Sequence, residues 1–87
     1  MKKGQTVFVI ERLDIHEGKL EGEAEAQGFY TRLGPGRIVT WDVMGSFGKT
    51  WLDRRAVHTE NIFCTKKAAK KELFIRLLRF PRLRDTA

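Results

Sequence analysis

Cysteine is almost missing from this chain. Cys64 stands alone among 87 residues, so no intrachain disulfide can staple the fold. Histidine is nearly as scarce, and His16 and His58 with one cysteine do not make the spaced ligand sets that hold zinc. Neither histidine has a serine, cysteine or carboxylate at a spacing that implies a catalytic triad. With no such constellation the sequence assigns no catalytic residue, no metal ligand and no cofactor, and an enzyme is the least favoured class. Long hydrophobic runs are missing too. The apolar run near the start, Val7–Ile10, is four residues long. That is too short for a signal-peptide core and far short of the roughly 20 residues of a membrane span. These absences, with a lone thiol that suits a reducing compartment, lead to the expectation of a soluble cytoplasmic protein with no membrane partner.

What the chain has is a folded domain's apolar share, 41% with 10% aromatic, and a strongly uneven charge. Its length fits one domain, and the small core leaves oligomerisation as the available staple. Residues 1–64 carry nine basic and nine acidic side chains and balance. Residues 65–84 carry eight basic side chains against Glu72 alone, and with Asp85 the whole chain reaches +6. Such a surplus favours polyanionic partners through steering and counterion release.

The pattern before residue 65 is β-rich. Thr6–Glu11 alternates Val7 and Val9 against Phe8 and Ile10, a central strand covered on both faces. Polar residues 12–22, with Gly18 and Gly22, read as a long loop or hairpin tip. This stretch belongs to an acidic segment, six carboxylates against Arg12 and Lys19 between Glu11 and Glu25, read as a solvated loop or as a counterweight to the basic end. Glu23–Leu33 reads as a curved strand kinked at Gly28, and Gly34-Pro35-Gly36 as a tight turn. Arg37–Met44 is the next strand, followed by a turn at Gly45 and Gly48. Lys49–Leu52 is a short fourth strand, Asp53–Arg55 a turn, and Ile62 and Phe63 mark the last short strand. Strands spaced this way with glycine-rich turns indicate a small antiparallel barrel of about five strands. The expected fold is mainly β (α+β), with the barrel over 1–64, one C-terminal α-helix over 65–80 and a tail over 81–87.

Thr65 is a suitable N-cap for that helix, and Pro81 stops it. Ala69, Leu73, Leu77 and Phe80 make a docking stripe. Docking explains neither the lysines in the first two turns, where the helix dipole disfavours cations, nor the second apolar side. Lys66, Lys67, Lys70, Lys71, Arg76, Arg79, Arg82 and Arg84 are therefore the candidate contacts to nucleic acid or another polyanion, against the plainer reading of a solvated face. Phe74, Ile75 and Leu78 are candidates for a protein interface, covered either by the acidic loop or in a homodimer through the helix. Trp41, Trp51, Tyr30 and Phe47 read first as packing and second as a base-stacking platform. Asp42 reads as a possible buried acid, and Cys64 as a small buried residue at the helix start.

The opening Gly4-Gln5-Thr6-Val7-Phe8-Val9 and the run Phe63-Cys64-Thr65-Lys66-Lys67-Ala68-Ala69 resemble small SH3-like β-barrel proteins of bacteriophages and bacterial mobile elements. In that group a barrel strand runs directly into the helix start. An acidic residue often follows the cap threonine there, where this chain has lysines. The resemblance implies an SH3-like barrel, a mobile-element setting and action by binding, either to a nucleoprotein or to a host protein such as a defence component. It supplies no catalytic residues.

Overall fold

The computed structural model describes residues 2–82. Five antiparallel strands form one sheet: β1 (Thr6–Glu11), β2 (Asp14–Ala26), β3 (Gly34–Met44), β4 (Thr50–His58) and β5 (Ile62–Phe63). A single helix follows, α1 (Lys66–Arg79). Hydrogen-bonded neighbours run β4-β3-β2-β1-β5, and no β4–β5 pairing appears among the described residues. The protein is thus a small α+β fold, mostly β, with one C-terminal helix.

The core is built from one side of every strand. Val7 and Val9 from β1, Leu20 from β2, Val39 and Trp41 from β3, Val57 from β4 and Ile62 from β5 form one buried cluster. Period-two alternation in β1 puts Val7 and Val9 there, while Ile10, from the other side of the strand, is also buried. Helix α1 packs against β1, β2 and β5. The two-sided cover expected for β1 is what the fold provides.

Four local expectations are corrected. Residues 12–22 are not a loop: only Arg12 and Leu13 turn, and β2 begins at Asp14. Glu17, Lys19 and Glu21 lie on one side of this strand, while Gly18 and Leu20 are buried on the other. Its irregularity falls between Leu20 and Glu23, not at Gly28, and the strand ends at Ala26. Gly34-Pro35-Gly36 opens β3 and makes no tight reversal. Gly34 is small because the His58 ring lies over it: a Cβ there would sit 2.7 Å from His58 Nε2. Pro35 is tolerated because β4 stops at His58, opposite Gly36, which leaves Pro35 paired on one side only. Asp53–Arg55 lies inside β4, opposite Trp41, Thr40 and Val39. As an edge strand, β4 keeps its charges at exposed or half-exposed positions and discourages stray pairing.

Candidate polyanion interface

Helix α1 is made of good helix formers, Lys, Ala, Glu, Leu and Arg, over most of its length. The Thr65 hydroxyl oxygen accepts from the Ala68 amide at 3.1 Å, the expected N-cap. The Phe80 amide donates to the Arg76 carbonyl at 2.8 Å, and Pro81 forbids another turn. Ala69, with no exposed surface, and Arg76, 3% exposed, mark the docked face. Leu73 and Leu77 are half-buried beside them, and Phe80 packs edge-on against Phe29 at 5.2 Å.

Arg76 is a correction to the expected site. Its Nε donates to Glu72 at 2.8 Å and its Nη2 to the Glu60 carbonyl at 3.1 Å. The guanidinium lies 4.3 Å from the centre of the Phe29 ring and 5.4 Å from that of Tyr30. The Tyr30 hydroxyl donates to the same Glu72 oxygen at 2.8 Å. Glu60 in turn accepts from the Tyr30 amide and the Thr31 hydroxyl. Residues 29–31, the Glu60 turn and the helix are therefore locked by one arginine, which is unavailable to an outside anion.

The same contacts set the acid–base behaviour of this lock. The Thr31 hydroxyl and the Tyr30 amide hold the Glu60 carboxyl below its ordinary range. Burial alone would raise Glu72, but the Arg76 guanidinium and the Tyr30 hydroxyl outweigh it and the carboxyl is lowered. Tyr30 is raised, first by desolvation and then by donating to Glu72.

The remaining basic side chains face water. Lys66, Lys67, Lys70, Lys71 and Arg82 are exposed and make no ion pair among the described residues. Arg79 is exposed and acts on Glu72 only at longer range, and Arg84 lies outside the described residues. At about 100° per residue, Lys67, Lys71, Phe74 and Leu78 fall within roughly 60° on the side opposite Ala69 and Arg76. Phe74 and Leu78 are 62% and 58% exposed and Ile75 is half-buried, so this face is not covered within the chain.

The fold adds two lysines that sequence reasoning missed. The N-terminal turn is tied down by Gly4 N–H donating to the Leu20 carbonyl and by Gln5, which bonds the backbone of Lys2 in both directions. The Gln5 side chain then reaches Cys64 Sγ at 3.8 Å, one residue before the helix cap. Lys2 and Lys3, both exposed, thereby join the helix lysines at one end of the molecule. The only signal was a lysine pair some sixty residues away, joined through the β1–β5 pairing.

The acidic stretch does not rest on the helix. Glu11 pairs with Arg55 and lies 3.3 Å from His16, and Glu21 lies 3.3 Å from Arg54, so its partners are on β4 and β2. Glu17, Glu23 and Glu25 are exposed without ion pairs among the described residues.

The four aromatic residues do not share a surface. Trp41 is buried and stacked on His16 at 5.1 Å, and Tyr30 belongs to the helix lock. Trp51 and Phe47 project from the β3–β4 hairpin end. Asp42 is exposed, because Trp41 takes the inward position beside it, and Cys64 is exposed as well.

A cleft of about 450 Å³ opens between the end of β1 and β4, with Val9, Trp41 and Val57 as its floor and Phe29, Arg12 and Arg55 among its lining. Among the described residues no helix is long and apolar enough to cross a membrane. Family models, curated proteins and solved structures were all compared with the chain, and none matches.

Proposed function

We propose that this chain is a non-enzymatic binding module whose lysine-rich end engages nucleic acid or a nucleoprotein. The observation that carries the reading is the placement of six exposed lysines, Lys2, Lys3, Lys66, Lys67, Lys70 and Lys71, at one end of the fold with no ion pair among the described residues. Lysines in the first turns of a helix cost stability against the helix dipole. A phosphate backbone laid across them offsets that cost and releases its counterions. The lysines themselves offer charge alone, so their contact is to the backbone and independent of sequence.

The test is the salt dependence of binding to a short duplex and to a single strand. Replacing Lys66, Lys67, Lys70 and Lys71 with Gln is expected to weaken binding and to flatten log affinity against log salt by up to about three units. An unchanged slope overturns the reading. Lys2→Gln with Lys3→Gln should remove a further one to two units, about 0.7–0.9 per lost contact.

A second reading, a protein inhibitor or adaptor with a basic rim, is favoured by the exposure of Phe74 and Leu78. Capture from bacterial lysate with and without nuclease separates the two. Nuclease-sensitive capture supports the first, and a stoichiometric protein that survives nuclease supports the second. The SH3-like resemblance and its mobile-element setting fit either reading.

A further inference from the structure

The β3–β4 hairpin ends in an exposed aromatic knob. Phe47 is 99% exposed and sits at φ +64, a left-handed conformation that bulky side chains avoid. The turn is closed by the Gly45 amide donating to the Lys49 carbonyl at 2.7 Å. The edge of the Trp51 ring abuts Gly45, where a Cβ would come within 2.1 Å of it, so only glycine fits at the base of the knob. Holding a phenyl ring outward in this way costs stability and gives the isolated chain nothing in return.

The same chain carries a receptor for such a ring. The open cleft between β1 and β4, about 450 Å³, is lined by half-buried Phe29 and exposed Ala56, Arg12 and Arg55, over a floor of Val9, Trp41 and Val57 that is itself almost wholly buried. A guanidinium group favours an aromatic face. Arg55 already stands over Trp41 and pairs with Glu11 and Asp53, which leaves the exposed Arg12 to meet an incoming ring. One pair of opposite charges is available as well. Lys49, two residues from the knob, is exposed and unpaired among the described residues. Asp14, likewise exposed and unpaired, lines the depression that shares Arg12 and Arg55 with the cleft.

We infer that the partner of this surface is a second copy of the chain, with Phe47 of each copy seated in the β1–β4 cleft of the other. A two-fold exchange fills both clefts and hides both knobs at once. This inference does not depend on nucleic acid, since the lysines take no part in it.

Sedimentation across 1–200 µM, on the order of the range that weak self-association needs, should show a reversible monomer–dimer equilibrium. Phe47→Gly is the informative variant because glycine adopts φ +64 freely. It is expected to keep or raise the melting midpoint while weakening dimerisation at least tenfold. Gln27→Trp, which adds an indole at an exposed position of the cleft lining outside the sheet, should weaken it to a similar degree. A mixture of the two variants retains one intact knob and one intact cleft. It should recover a heterodimer that neither variant forms alone. A wild-type chain that stays monomeric throughout, a Phe47→Gly chain that dimerises unchanged, or a mixture that recovers nothing would each overturn the inference.

Discussion

Arg76→Ala removes two hydrogen bonds, a guanidinium packed on Phe29, and the charge partner of Glu72 in a single change. Losing one member of a buried pair costs about 3 kcal/mol or more, and Glu72, 21% exposed at its side chain, recovers part of that by hydration. A loss of about 3 kcal/mol is expected in chemical denaturation, and replacing Glu72 and Arg76 together with Leu should cost less than Arg76→Ala alone. Tyr30→Phe deletes only the hydroxyl donor to Glu72 and should cost about 0.5–1 kcal/mol. Helix periodicity already separates position 76 from 79 and 82, since at about 100° per residue it falls beside Ala69 on the docking stripe and the other two do not. Composition alone, all three being arginines near the end of a basic helix, hid this. What periodicity does not reveal is the partners far along the chain, Glu60 and Phe29, that let an arginine be buried there.

Elements were legible in proportion to how local their signals are. Helix α1 has its cap, its composition and its stop written into consecutive residues, and its expected boundaries hold. Strand β2 was hidden because its charges and glycines look like a loop, although Glu17, Lys19 and Glu21 simply occupy one side of an alternating strand. Arg54 and Arg55 misled in the same way, since a charged edge strand and a charged turn have similar composition. The helix lysines could be read in advance, whereas Lys2 and Lys3 required strand pairing to be known. Thr65→Ala tests the cap directly. It should lower stability by about 1 kcal/mol and fray the lysine-bearing first turn, seen as faster amide exchange at Ala68 and Ala69. The Gln replacements at the four helix lysines should hold or slightly raise stability, because each removes a charge opposed by the helix dipole.

For the molecule as a whole, the helix lock sets a pH window. Glu60 and Glu72 are lowered in the fold, so their contribution is complete above the ordinary carboxyl value of 4.5 and is lost as pH falls through the folded values. Tyr30 is raised, so its contribution is complete below 10.0 and is lost as pH rises through the folded value, when tyrosinate can no longer donate to Glu72. Melting midpoints should therefore form a plateau that declines on both sides. Tyr30→Phe should abolish much of the alkaline decline and leave the acidic one in place.

The direction of β1 has a further consequence. The strand starts at the lysine end, beside Gln5 and Cys64, and runs toward the side of the sheet where the β3–β4 hairpin turns. A ligand lying on the lysines therefore leaves Phe47 uncovered, and two copies joined through their hairpins would still present both lysine clusters. Such a pair is divalent toward any strand long enough to span it, and its avidity depends on polymer length more than on the affinity of either cluster. Long duplexes should then be cross-linked, with a sharp rise in light scattering, while duplexes of about ten base pairs are only bound. In Phe47→Gly the length dependence should vanish while the short-duplex affinity stays the same.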